Sequence, residues 1–161
     1  MIEIFYTERN AFSSTESALR KIFSERYGIK NAEFYRNEHG KPFLKNGTPF
    51  FSVSHTEKLF FVAVSSQPVG LDAEERTRKV NFLPIVKKYP FFSPAPENAE
   101  AFLREWTVFE SAVKYLGESI AIVGKRLLKN DPAFCFASLE KDGHFISVCT
   151  KEKSPVHFVR F

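Results

Sequence analysis

Cysteine is scarce in this sequence and long apolar runs are absent, and each absence excludes a class of protein. Only Cys135 and Cys149 occur among 161 residues. Both lie among apolar residues in predicted strands, so we expect reduced core thiols rather than a disulfide or a cysteine metal site. No segment approaches the ~20 apolar residues of a membrane-spanning helix. Residues 1–4 also lack the basic stretch and apolar core of a signal peptide, so we expect a cytoplasmic protein without membrane contact.

Runs of one charge are absent as well. The formal net charge is +4, which favours an anionic partner such as a phosphorylated ligand, a nucleic acid or an acidic protein. The lysines and arginines are scattered, so the charge alone does not choose among these partners. A hydrophobic fraction of 43% and a charged fraction of 26% are typical of a soluble globular protein, and 19 phenylalanines predict an aromatic-rich core.

Hydrophobic periodicity predicts an α+β fold with helices packed against antiparallel sheets. A capping-box pattern at Ser13 and Glu16 predicts the start of a first helix that ends at Gly28. A second long helix is expected from about Asn98 to Leu116, stopped by Gly117. A short helix is predicted at 81–89. Strands are predicted at 2–6, 50–53, 59–64, 69–75, 127–128, 133–139, 144–149 and 156–161, those within 50–75 forming a β-meander with 59–64 as a central strand.

Two carboxylates lie close together on one predicted strand. Asp72 and Glu74 alternate with the apolar Leu71 and Ala73, so both acids project from one face of the strand. Their mutual repulsion calls for a cation, and oxygen ligands of this kind suit a hard divalent ion such as Mg²⁺. A strand end that carries solvated acids is the alternative interpretation.

The second long helix carries polar residues beside its apolar stripe. Glu110 and Lys114 lie one turn apart along an edge of that stripe, where a surface ion pair is the default interpretation. If this edge meets the acidic strand, three carboxylates converge on one Mg²⁺ site with open positions for phosphate oxygens. The stripe itself consists of Phe102, Trp106, Phe109, Val113 and Leu116.

Three segments, taken together and in order, resemble motifs of the 4'-phosphopantetheinyl transferases of the larger, Sfp-type class. They are Gly40-Lys41-Pro42 with Ser52-Val53-Ser54-His55, then Val69-Gly70-Leu71-Asp72-Ala73-Glu74, then Trp106-Thr107-Val108-Phe109-Glu110-Ser111-Ala112-Val113-Lys114. The resemblance covers roughly residues 15–150. It implies two similar small α+β halves, 1–68 and 69–161, that form one compact unit with the site between them. It also implies a monomer, since one chain completes the site.

The resemblance implies a role for each matching residue. Asp72, Glu74 and Glu110 match the ligands of Mg²⁺, with Mn²⁺ as an alternative, and Asp72, Glu110 and Lys114 match the catalytic group. Gly40, Lys41 and Pro42 match the segment along coenzyme A, while Ser54, His55 and Lys114 match contacts to its phosphates. Without the resemblance, Lys41 reads as a surface lysine and His55 as a solvated turn residue.

The implied reaction moves phosphopantetheine from coenzyme A to a serine of an acidic apo acyl or peptidyl carrier protein. It releases adenosine 3',5'-bisphosphate and involves no nucleic acid. Attack on a diphosphate needs charge neutralisation and removal of the serine proton. Lys114 with the metal ion supplies the first, and Glu110, directly or through a metal-bound water, accepts the proton.

Three departures from the family pattern keep other functions open. Phe109 stands where the family usually has a lysine, the basic segment ahead of the first long helix has no evident counterpart, and the C-terminal strands are fewer. The chain is therefore expected to be a compact or divergent relative. A non-catalytic homologue that binds coenzyme A or a carrier protein is the main alternative. A metal-dependent nuclease or phosphatase ranks third, because no basic groove is evident.

Overall fold

The computed structural model describes residues 1–161 and contains nine strands and four helices. The strands are β1 (Ile2–Glu8), β2 (Phe34–Arg36), β3 (Pro42–Leu44), β4 (Phe50–His55), β5 (Leu59–Ser65), β6 (Gly70–Glu75), β7 (Cys135–Lys141), β8 (His144–Thr150) and β9 (Val156–Arg160). The helices are α1 (Thr15–Tyr27), α2 (Leu83–Lys88), α3 (Ala99–Leu116) and the single turn α4 (Ile120–Val123), with a 3₁₀ turn at Pro90–Phe92. This content confirms the predicted α+β class.

The strands form two main sheets and one small ribbon. The first sheet has the order β4-β5-β1-β9, in which only the β1–β9 pair is parallel. The second sheet has the order β6-β8-β7 and is antiparallel throughout, and β2 with β3 forms the ribbon. The interior position of β5 confirms the prediction from its apolar faces.

The two sheets pack face to face between the two long helices. Apolar side chains of β1 and β5, such as Ile4 and Phe61, meet those of β6 and β8, such as Leu71 and Ile146. Helix α1 buries Leu19 and Phe23 on the outer face of the first sheet. Helix α3 covers the outer face of the second sheet and joins an aromatic cluster. The result is a four-layer arrangement with α3 directly above β6 and β8.

Helix α3 begins and ends as its sequence predicts. The Asn98 side chain accepts a hydrogen bond from the Ala101 amide, and Gly117 ends the helix in the left-handed conformation at φ 68°. The predicted apolar stripe contributes Phe102, Phe109 and Val113 to the buried core, and Trp106 and Leu116 pack against it. One face of α3 therefore lies in the aromatic cluster while the neighbouring face approaches β6.

Glycine at position 70 allows α3 to rest on β6. A Cβ atom there would lie 2.0 Å from the carbonyl oxygen of Ser111 and 2.4 Å from the backbone nitrogen of Tyr115. Real side chains never approach backbone so closely, so only glycine fits this crossing. The contact fixes the height of α3 above the strand that carries Asp72 and Glu74.

Three local predictions are wrong. The capping box of α1 uses Ser14 and Ser17 rather than Ser13 and Glu16, because a serine hydroxyl at the third helical position serves as well as a glutamate. Residues 127–128 form no strand, since Leu127 follows the turn after α4 into the aromatic cluster. The predicted β-meander loses its third strand, because β6 leaves β5 and pairs with β8.

Both cysteines are free, as predicted. Cys149 is buried, and burial raises the pKa of its thiol to about 12. Cys135, at the start of β7, is only partly buried. None of the four helices has both the length and the apolar composition needed to cross a membrane. The division into halves at residue 68 stays a prediction.

Candidate functional site

An ion pair joins α3 to β6 at the centre of the candidate site. Lys114 Nζ lies 2.7 Å from Oδ1 of Asp72, whose side chain is only 8% exposed. Ser54 Oγ donates to the same oxygen at 3.0 Å and accepts a hydrogen bond from Lys114 at 3.1 Å. The second oxygen of Asp72 is buried without a hydrogen-bond partner. The sequence predicted all three residues as site residues, and the structure brings them into one network.

Serine hydroxyls connect β4 with β6 where no strand ladder exists. The Leu71 amide donates to Ser52 Oγ at 3.0 Å, and the Ala73 amide donates to Ser54 Oγ at 3.1 Å. These bonds satisfy buried donors along the free edge of β6. Ser54 therefore lies within β4, which extends beyond the strand predicted at 50–53. Ser52 was not predicted as a site residue, although the Ser-x-Ser spacing places both hydroxyls on one face of the strand.

Glu110 lies one turn before Lys114 on α3, in a strongly negative environment. Burial, and then the negative charge of Asp72, raises the pKa of Glu110 to about 7, and Glu74 adds to the effect. Burial also raises the pKa of Glu74, although the bond from Arg78 opposes the shift. The three predicted carboxylates are thus close enough to repel one another.

The same carboxylates do not form a closed set of metal ligands in this structure. Glu74 is held in an ion pair by Arg78, which the sequence analysis did not single out. Glu74 lines a polar groove of about 830 Å³ beside the site, together with Arg9 and Arg78. No group of three or more histidine, cysteine, aspartate or glutamate side chains is arranged to hold a metal ion. The three carboxylates predicted to bind a metal ion therefore lie near one another but are not arranged as a coordination site.

An adjacent cleft of about 460 Å³ brings the sequence motifs together. Its walls come from the ends of α1 and α3, the β2–β3 ribbon and β4. The predicted site residues that line it are Gly40, Lys41, Pro42, His55, Glu110 and Lys114. Asp72 and Ser54 lie immediately behind Lys114. The open side of the candidate site therefore faces a cleft of the size that small-molecule ligands occupy.

Two cleft residues differ from their simplest interpretations. Partial burial, together with the positive charges of Arg9 and Lys114, lowers the pKa of His55. The ammonium of Lys41 turns into the protein and donates to the carbonyl oxygen of Tyr115 at 3.1 Å, so Lys41 is not a surface lysine. Arg9 is a cation that was not predicted, because only the folded chain brings the residue after β1 into the groove that His55 lines.

Comparison with known proteins gives one consistent result. No protein-family model matches the chain. Curated proteins similar to it include the 4'-phosphopantetheinyl transferase gsp of Aneurinibacillus migulanus, which is 29% identical over 117 residues, 66% of this chain and 48% of that protein. The 4'-phosphopantetheinyl transferase Sfp of Bacillus subtilis (strain 168) is 26% identical over 133 residues, 73% of this chain and 58% of the relative.

A third similar protein, the 4'-phosphopantetheinyl transferase HetI of Nostoc sp., is 28% identical over 133 residues, 73% of this chain and 56% of the relative. The chain thus spans about half the length of the curated relatives it matches. Relatives from three genera carry the same name, which agrees with the motifs in the sequence. These similarities confirm the resemblance: the chain is similar to Sfp-type 4'-phosphopantetheinyl transferases over about 70% of its length.

Proposed function

We propose that the chain transfers 4'-phosphopantetheine from coenzyme A to a serine of an acidic apo acyl or peptidyl carrier protein, releasing adenosine 3',5'-bisphosphate. One observation supports this most directly: motif residues that are far apart in sequence, from Gly40 to Lys114, line one cleft. The names of the similar proteins point to the same transfer. The expected two-half architecture, with the cleft between residues 1–68 and 69–161, forms part of this proposal.

The chain's own residues can perform the main steps. Lys114, held by Asp72, directs positive charge toward the cleft, where it would bind the pyrophosphate of the coenzyme. Glu110 has a pKa of about 7, which suits it to accept the proton of the attacking serine near neutral pH. The serine oxygen forms a bond to the β-phosphorus while the bond to the bridging oxygen breaks. His55 at the cleft wall can donate to a phosphate oxygen.

Magnesium fits the donor chemistry of this site. Asp72 has a buried oxygen without a partner, and burial together with the negative charges of Asp72 and Glu74 raises the pKa of Glu110. Asp72, Glu74 and Glu110 would hold the ion, once Glu74 is released from Arg78, and Mn²⁺ is an alternative. When bound, the ion would neutralise charge on the pyrophosphate.

A mass-spectrometric assay tests the proposal. The chain is incubated with coenzyme A, Mg²⁺ and a panel of apo carrier proteins, beside Asp72→Ala and a control Lys129→Met that removes a lysine paired with Glu105 away from the cleft. We expect a mass gain equal to phosphopantetheine on at least one carrier, together with adenosine bisphosphate release. Asp72→Ala should abolish the gain and Lys129→Met should keep it.

The burial of Phe109 supports one rival function. Phe109 is fully buried in the aromatic cluster, so the cation expected at this position is missing. A non-catalytic homologue would bind coenzyme A in calorimetry and yet modify no carrier. That result would replace the transferase proposal by a binding function.

A further inference from the structure

The ammonium of Lys41 lies where β6 begins and α3 ends. Its Nζ donates to the carbonyl oxygens of Tyr115 at 3.1 Å and Val69 at 3.5 Å. The ammonium makes no ion pair and lies 5.4 Å from the ring centre of Phe43, and the aliphatic part of the Lys41 side chain passes Gly117. Burial lowers the pKa of Lys41 to about 8, so the group remains mostly protonated at neutral pH. A partly buried cation that donates to two backbone carbonyls is a structural bridge between two elements.

Asn37 reinforces this bridge from the same segment. Its Nδ2 donates to the Gly117 carbonyl at 2.6 Å, while its Oδ1 accepts from the amides of Lys41 at 2.9 Å and His39 at 3.1 Å. The last carbonyls of a helix lack intrahelical donors and favour positive charge. Lys41 and Asn37 satisfy two of the carbonyls at the end of α3, and the turn that carries them is itself braced by Asn37.

The bridge lies beside the closest contact between α3 and β6. Gly70 touches the backbone of Ser111 and Tyr115, so the two elements meet without an intervening side chain. Asp72 follows Gly70 by two residues, and Lys114 immediately precedes Tyr115. A small slide of α3 along β6 would therefore change the 2.7 Å contact between Lys114 and Asp72 directly.

We propose that Lys41 and Asn37 are positioning residues, which fix the end of α3 against the start of β6 and thereby hold Lys114 on Asp72. This inference rests on the proposed transferase function. It assigns the Lys41 ammonium to the protein, whereas the resemblance assigns Lys41 to the coenzyme. The two assignments predict different kinetics. A positioning residue changes the rate of the bound complex, because misplacement by about 1 Å can cost up to ~100-fold in rate. A coenzyme contact changes mainly the binding of coenzyme A.

Lys41→Met keeps most of the length of the side chain and removes its donors. We expect kcat for carrier modification to fall about 10-fold while KM for coenzyme A changes less than about twofold. Lys41→Arg should restore part of kcat, because a guanidinium can donate to the same carbonyls. Asn37→Ala, which retains the Lys41 side chain but removes the brace of its turn, should lower kcat in the same way. Lys45→Met is the matched control, since it removes an exposed lysine that directly follows the same ribbon and pairs with Glu33.

A second measurement does not depend on turnover. Hydrogen–deuterium exchange at residues 113–117 should speed up in Lys41→Met and Asn37→Ala but not in Lys45→Met. If the unaltered chain modifies no carrier, the transferase proposal fails. The bridge formed by Lys41 and Asn37 is tested separately, and unchanged exchange in both variants would overturn it. If the chain is active, a raised KM with unchanged kcat would overturn the positioning role, as would faster exchange with unchanged kcat.

Discussion

Replacing Glu110 by glutamine should stabilise the metal-free protein, and the gain should grow with pH. Burial and the charge of Asp72 raise the pKa of Glu110 from 4.5 to about 7. When folding raises the pKa of a carboxyl group, ionising that group costs more free energy in the folded chain than in the unfolded chain. The carboxylate of Glu110 therefore opposes folding at neutral pH, and a neutral glutamine of the same shape removes that cost.

The expected size of the effect follows from the two pKa values. Below pH 4.5 the group is protonated in both the folded and the unfolded chain, so it contributes no difference. Between pH 4.5 and 7 the folded chain keeps a proton that the unfolded chain releases, so stability falls as pH rises. Above pH 7 the full cost applies, at ~1.4 kcal/mol for each pKa unit. Partial exposure screens the charge, so we expect a gain of about 2 to 3 kcal/mol at pH 8 and almost none at pH 4.

Urea unfolding in the presence of a chelator measures this gain. Trp106 is the only tryptophan and lies against Phe92, Phe102 and Phe109, so its fluorescence reports on the core around α3. Glu97→Gln removes an exposed carboxylate and controls for the change in net charge. A gain for Glu110→Gln that does not depend on pH, or a loss at pH 8, would refute the reasoning. Added Mg²⁺ should stabilise the unaltered chain more than Glu110→Gln if Glu110 helps hold the ion.

Three substitutions probe the packing around the site through unfolding measurements. Gly70→Ala should lower the free energy of unfolding by about 3 kcal/mol, because its methyl group would overlap the Ser111 carbonyl. A smaller loss than a glycine-to-alanine change causes in a loop would contradict that close approach. Ser54→Ala should cost about 1 to 3 kcal/mol, since Asp72 loses a buried donor, and unaltered stability would disprove that dependence. Phe109→Lys should cost more than about 4 kcal/mol and should not raise transferase activity. A folded, more active Phe109→Lys would show that this position reaches the phosphates.

Features encoded by neighbouring residues could be predicted from the sequence. The apolar faces of β5 placed it inside a sheet, and the cap at Asn98 with the stop at Gly117 defined α3. The spacing of Glu110 and Lys114 placed both at the edge of the stripe, and Lys114 does reach β6. Each of these features depends on local conformation or on helical periodicity, and both are properties of short segments.

Features that depend on contacts between distant segments could not be predicted in this way. Strand β6 pairs with β8, more than 70 residues later, because that pairing lets Leu71 and Ile146 share one buried layer. The Glu74–Arg78 pair, by contrast, is local, but its i, i+4 spacing indicates a contact mainly in helices and Glu74 lies on a strand. The partners of Lys41 are backbone carbonyls, which leave no side-chain pattern to recognise.

Phe109 shows most clearly how local sequence and distant contacts together determine the position of a side chain. Helical periodicity places it in the apolar stripe, about 100° around α3 from Glu110, and the structure packs it against Tyr89, Phe91 and Trp106. A lysine at this position would have to leave the core and displace aromatic rings before it could approach the cleft. If the chain is a transferase, the missing charge must therefore come from cations that already line the cleft. Arg36 also lines this cleft, so replacing Arg36 should weaken coenzyme A binding in a chain that has Phe109.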